Sequence, residues 1–127
     1  MRIVRLLMAA VLGLLGLVIV APPANAATQA VTMQNYAFSP SSLTIHVGDT
    51  VKWVFPRPAD YHSSTSGVCT TGGGYYDDGS CTPDGTWDSG QLYGGQTFSR
   101  TFTTTGNFRY FCSVHLSMMT GTVQVDP

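Results

Sequence analysis

The chain has 127 residues, of which 43% are hydrophobic and 10% are Asp, Glu, Lys or Arg, and its formal net charge is −1. The six Lys and Arg residues are scattered, so the sequence offers neither a basic groove for nucleic acid nor a polybasic patch for a membrane surface. All seven acidic residues are Asp, and Lys and Glu, two common helix formers, are nearly absent. This composition favours strands and turns.

Residues 1–26 have the pattern of a secretory signal peptide. Arg2 and Arg5 precede an apolar run over residues 6–20, and Ala24-Asn25-Ala26 offers a small-residue cleavage site. The run is short for a membrane span, and no stop-transfer pattern follows it. We therefore predict cleavage after Ala26 and a secreted or periplasmic protein with no integral membrane span. The mature chain, residues 27–127, is predicted to be one domain with net charge −3, from four Lys and Arg against seven Asp.

Short stretches rich in β-branched and aromatic residues recur along the mature chain, separated by Gly, Pro and Asp. In one of them, Val51, Trp53 and Phe55 share the presumed core face, and the prolines that follow end the strand because proline cannot continue a ladder. The predicted strands, in chain order, are residues 31–38, 43–47, 51–55, 97–102, 107–112 and 120–125, with a long loop after the third. The pattern predicts an all-β, antiparallel Greek-key β-sandwich or barrel of about seven to eight strands.

The three cysteines separate by context. Cys69 and Cys81 lie in the long loop, which is rich in Gly, Ser, Thr and Asp, and secretion would place them in an oxidising compartment, so we predict a disulfide between them. Cys112 is then unpaired. An unpaired thiol in a secreted protein calls for protection or occupation, and a bound metal provides both.

Cys112 stands in an unusual group of side chains at the end of an aromatic strand. Cys112, His115 and Met119 place a thiolate, an imidazole and a thioether within one turn. This ligand set is softer than magnesium, calcium or a structural zinc site usually collects, and it favours copper. A Cys, two His and a weak axial Met form the blue-copper electron-transfer pattern, so the sequence needs a second histidine.

Several motifs together resemble the plastocyanin/azurin family of small cupredoxins. They cover almost all of the mature chain and are Phe38-Ser39-Pro40, Val47-Gly48-Asp49-Thr50-Val51-Lys52-Trp53, Trp87-Asp88-Ser89-Gly90, Tyr110-Phe111-Cys112-Ser113-Val114-His115 and Met119-Thr120-Gly121-Thr122-Val123. The resemblance implies a cupredoxin-like fold with one type 1 copper ion. It also implies an electron carrier, not an enzyme, that meets transient redox partners, as a monomer, at the exposed edge of His115.

The same resemblance suggests the remaining ligands. His62 occupies the place of the family's upstream histidine, whereas His46 shares a strand face with Thr44 and is predicted to be exposed and not a ligand. Two methionines compete for the axial position. Met118 has the spacing from His115 seen in amicyanin-like members, while Met119 fits the register of the last strand. We favour Met119 because strand register fixes where a side chain points.

Two positions depart from the family pattern. Val114 stands where plastocyanin-like members usually carry proline, which would return a backbone N–H near the thiolate. Ser63 stands beside the first histidine where asparagine is frequent, so the hydrogen bond between the two ligand loops would have to come from Ser63 and Ser113.

Other functions are weighed against electron transfer. A multicopper oxidase or copper nitrite reductase needs further histidine pairs, and the chain has three histidines in all. A copper-binding or copper-delivery protein could use the same ligands without shuttling electrons, and sequence hardly separates the two. A structural cupredoxin domain that has lost its metal is disfavoured by the intact set of ligands.

Overall fold

The computed structural model describes residues 25–56, 61–71 and 79–127. Nearly all of the predicted signal peptide, and residues 72–78 of the predicted loop, lie outside this part. Within it there are nine strands: β1 (Thr28–Gln34), β2 (Ala37–Ser39), β3 (Ser42–His46), β4 (Thr50–Val54), β5 (Thr65–Cys69), β6 (Cys81–Asp88), β7 (Thr97–Thr101), β8 (Gly106–Cys112) and β9 (Leu116–Asp126). These three ranges contain no helix capable of crossing a membrane.

The strands form two sheets. One has the order β2-β1-β4-β7, and the other has the order β3-β9-β8-β5-β6. The predicted all-β sandwich is confirmed, but two of the pairings are parallel, β1 with β4 and β3 with β9, while the sequence pattern had suggested antiparallel strands only. Period-two alternation shows which face a residue occupies and carries no information on the direction of the neighbouring strand.

Two parts of the chain differ from the predicted strands. The first predicted strand is broken by a two-residue turn, because Asn35 and Tyr36 both have positive φ between β1 and β2. The predicted long loop contains β5 and β6. These strands were missed because β5 is built from residues such as Thr65, Ser66 and Gly67, which lack the apolar alternation of a half-buried strand although they are buried here.

The core lies between the sheets and is rich in aromatic rings. Trp53 is fully buried and contacts Trp87, Phe98 and Tyr110, with ring centroids 5.4–5.8 Å apart. Gly121 on β9 lies directly against the Tyr110 ring, and a Cβ at this position would overlap the ring. Burial raises the pKa of Tyr110 to about 12, and the neighbouring Trp53 indole partly opposes this rise.

Candidate metal centre

Cys112 and His115 are brought together by the tight connection between β8 and β9. Cys112 ends β8 and pairs with Leu116 at the start of β9, with a register shift between Phe111 and Cys112. The chain therefore reverses over Ser113, Val114 and His115, and the imidazole folds back toward the thiol. The distance from Cys112 Sγ to His115 Nδ1 is 3.5 Å.

His62 comes from a different part of the chain and is held by the backbone. It forms an isolated bridge with Leu92: the His62 N–H donates to the Leu92 carbonyl at 3.1 Å, and the Leu92 N–H donates to the His62 carbonyl at 2.7 Å. The imidazole is buried and packs edge-on against Phe55, with centroids 4.8 Å apart. Its orientation is therefore fixed from both the main chain and the ring.

The three donor atoms converge. His62 Nδ1 and His115 Nδ1 lie 3.2 Å apart, and Cys112 Sγ lies 3.9 Å from His62 Nδ1. Two imidazole nitrogens bound to one tetrahedral ion at 2.0–2.1 Å would be about 3.3 Å apart. The observed separations therefore fit donors that share one transition-metal ion. A thiol, two imidazoles and no carboxylate make up this cluster, and such a soft set fits copper better than magnesium or calcium.

The two methionines point to opposite faces of β9. Met119 is 1% exposed and belongs to the same buried cluster as Cys112, whereas Met118 is 60% exposed. This difference follows from the strand period, since Met119, Gly121, Val123 and Val125 all face the core. The register argument made from sequence correctly placed Met119 inside and Met118 outside.

A chain of hydroxyl groups connects the two loops that carry the donors. Ser63 is fully buried, and its Oγ accepts the Ser113 N–H at 2.7 Å and donates to Ser113 Oγ at 2.9 Å. Ser63 Oγ also lies 3.1 Å from Thr65 Oγ1, which donates to Asp88 Oδ1 at 3.0 Å. The predicted role of Ser63 and Ser113 in tying the loops is confirmed, and Thr65 and Asp88 extend it.

The thiol itself receives a backbone hydrogen bond. The Ser63 N–H donates to Cys112 Sγ at 3.4 Å. The sequence had suggested the Val114 N–H for this role, and the described residues show no such bond from Val114. The suggestion was wrong because it counted residues along the loop of Cys112 only, and Ser63 approaches from the segment after His62.

The donors differ in their access to the surface. His62 and Cys112 are buried, whereas His115 is only partly buried. Around them lie exposed apolar side chains, namely Tyr36, Tyr61, Tyr93 and Met118. His46, by contrast, ends β3, is exposed and takes no part in the cluster, as predicted.

The predicted disulfide between Cys69 and Cys81 is confirmed. The two cysteines are directly opposite each other on β5 and β6, so the bond ties the outer strand β6 to its neighbour. Cys112 is the free cysteine and is buried. The disulfide lies outside the donor cluster and its role is structural.

Comparison with known proteins agrees with this geometry. The model of the family described as copper binding proteins, plastocyanin/azurin family, matches residues 25–126. A purple cupredoxin from Nitrosopumilus maritimus is 26% identical with a TM-score of 0.60, over 76% of this chain and 98% of that one. A copper-containing nitrite reductase from Thermus scotoductus is 27% identical with a TM-score of 0.56, over 77% of this chain and 22% of that one.

A reduced amicyanin mutant shares the fold at 24% identity with a TM-score of 0.52, over 76% of this chain and 80% of that one. The motifs that resemble the family in sequence thus coincide with the segments that carry the donors in the structure. The match of the family model extends over the whole sandwich and over all three donors. The chain belongs to the plastocyanin/azurin family of copper-binding proteins.

Proposed function

We propose that this protein carries single electrons through one type 1 copper ion held by His62, Cys112, His115 and Met119. The observation that supports this most directly is the convergence of His62 Nδ1, Cys112 Sγ and His115 Nδ1 within 4.8 Å of one another. Bound copper would supply a one-electron Cu(II)/Cu(I) couple, with the buried Met119 thioether as the weak axial donor.

The protein's part in this function is rigidity. The Leu92 bridge and the Phe55 contact fix His62, and the Ser63 N–H fixes the thiolate from outside its own loop. The link from Ser63 to Ser113 prevents the two loops from separating. Donors that cannot move give the site little freedom to reorganise when its charge changes, which favours fast electron transfer.

Electrons would enter and leave at His115, the most accessible of the three donors. The apolar side chains around it, including Tyr36 and Met118, form a surface suited to brief protein contacts. We propose transient redox partners, a monomeric carrier and a secreted or periplasmic location, the last because of the signal-peptide pattern in residues 1–26. An electron carrier is favoured over an enzyme because the described residues hold one donor cluster.

Copper delivery is the second candidate. The exposed thioether of Met118, close in sequence to the partly buried His115, offers a soft donor at the surface to which Cu(I) could pass. Voltammetry of the copper-loaded protein, combined with transfer of copper to a chelator, separates the two functions. A carrier cycles reversibly and keeps its ion over many cycles. A protein that releases Cu(I) to the chelator within the time of one cycle would contradict the carrier proposal.

A further inference from the structure

The turn between β1 and β2 has a residue that its backbone does not favour. Gln34 pairs with Ala37, so Asn35 and Tyr36 form a two-residue hairpin loop, with φ of 52° and 56°. Both positions of such a loop require the left-handed region, where Asn and then Gly are strongly preferred. Asn35 follows this preference. Tyr36 does not, because a bulky aromatic side chain is disfavoured at positive φ.

The Tyr36 ring makes one contact with the candidate metal centre. Its centroid is 4.6 Å from that of the His115 imidazole, and the two planes are nearly perpendicular at 85°. Edge contacts of this kind are favourable. Tyr36 is nevertheless 55% exposed, so burial alone does not explain why a large aromatic residue occupies this position.

The two histidines differ in how they are held. His62 is buried, bridged to Leu92 and packed against Phe55. His115 is only partly buried and follows the β8 strand on a connection whose next residue, Leu116, also has positive φ. Apart from the donor atoms, the aromatic contact of the His115 ring on its outer side is with Tyr36.

We propose that Tyr36 is a positioning residue that holds the His115 imidazole in its ligating orientation. Local backbone strain persists where the side chain gives something in return, and here the ring supplies to the exposed histidine the restraint that burial gives to His62. The inference deepens the proposed function, since it rests on His115 as a copper ligand. It assigns a role to a residue that no ligand motif includes.

The test compares three variants with the parent. Tyr36→Gly removes the ring and suits the backbone, and Tyr36→Phe keeps the ring and the strain. Tyr93→Ala removes a tyrosine of equal exposure, 55%, that packs against Tyr61. Each protein is loaded with one equivalent of copper, and the rate of copper transfer to an excess of a colorimetric chelator is measured. NMR relaxation of the His115 ring is measured in the copper-free proteins.

Tyr36→Gly is expected to release copper about two- to tenfold faster than the parent, from the size of an aromatic edge contact, and to show a more mobile His115 ring. Tyr36→Phe and Tyr93→Ala should resemble the parent. The unfolding midpoint of copper-free Tyr36→Gly should not fall, because relief of the backbone strain offsets the lost contact.

Equal release rates and equal ring mobility in Tyr36→Gly and the parent would overturn the proposal. Faster release accompanied by a lower unfolding midpoint would overturn it too, because damage to the fold would then explain the loss of metal. A parent that takes up no copper would instead contradict the proposed function. In that case the ring relaxation of the copper-free proteins still decides whether Tyr36 restrains His115.

Discussion

Removing the Ser63 hydroxyl should destabilise the protein without removing any donor atom. In Ser63→Ala, the backbone N–H that bonds Cys112 Sγ is retained, but Ser63 Oγ no longer accepts the Ser113 N–H, which it does at 2.7 Å in the parent. The contacts of Ser63 Oγ with Ser113 Oγ and Thr65 Oγ1, at 2.9 and 3.1 Å, are lost as well.

The size of the effect follows from burial. Ser63 is 0% exposed, and a buried donor or acceptor that loses its partner costs about 1–3 kcal/mol. We therefore expect the free energy of unfolding to fall by about 2 kcal/mol. For a domain of this size that corresponds to a drop in Tm of roughly 8–16 °C.

The assay is thermal and urea unfolding of the copper-free protein, followed by circular dichroism. The matched control is Ser99→Ala, because Ser99 is an exposed serine on β7 and should change stability by less than about 0.5 kcal/mol. If Ser63→Ala proves as stable as Ser99→Ala, the hydroxyl chain does not hold the two loops together and the reasoning fails.

Three further predictions concern stability. Gly121→Ala should lower the free energy of unfolding by about 1–3 kcal/mol in urea, since a Cβ would overlap Tyr110; an unchanged urea midpoint would contradict the packing. The N–H groups of His46 and Ala27 lower the pKa of Asp49, so its ionised form stabilises the fold above the ordinary pKa near 4 and this contribution is lost as pH falls through the lowered pKa. Asp49→Ala should therefore be less stable than the parent at pH 7, with a gap that narrows in acid, and a gap that widens in acid would refute this. Burial raises the pKa of Tyr110 to about 12, so the neutral phenol's contribution is fully present below pH 10 and is lost as pH rises from there through 12. Tyr110→Phe should lose stability less steeply than the parent over that range, and equal slopes would count against the assignment.

The fold was predictable where side chains alternate. Val51, Trp53 and Phe55 were assigned to the core face from sequence and are buried in the structure, because period two translates directly into faces of a sheet. The parallel partners of β1 and β3 were not predictable, since strand direction depends on which distant segment pairs with which. Strand β5 was missed because Ser66 and Gly67 are buried through hydrogen bonding and close backbone approach.

The candidate site was only partly accessible to sequence reasoning. Cys112, His115 and Met119 lie close together along the chain, so their chemistry could be recognised from residue types and spacing. His62 is 50 residues before Cys112 and is brought in by its bridge with Leu92, so the resemblance to the family was needed to find it. Asp88 and Tyr36 carry no ligand signal, although a tyrosine after Asn35, where a two-residue turn prefers glycine, was a local clue.

The most direct test of the central claim is a copper titration of residues 27–127, followed by visible absorption, with Cys112→Ser as the control. The account predicts an intense blue thiolate-to-Cu(II) band that saturates at one equivalent, bleaches reversibly with a mild reductant and is absent from Cys112→Ser. A protein that stays colourless with copper, or a band of equal intensity in Cys112→Ser, would contradict the claim that His62, Cys112 and His115 form a type 1 copper site.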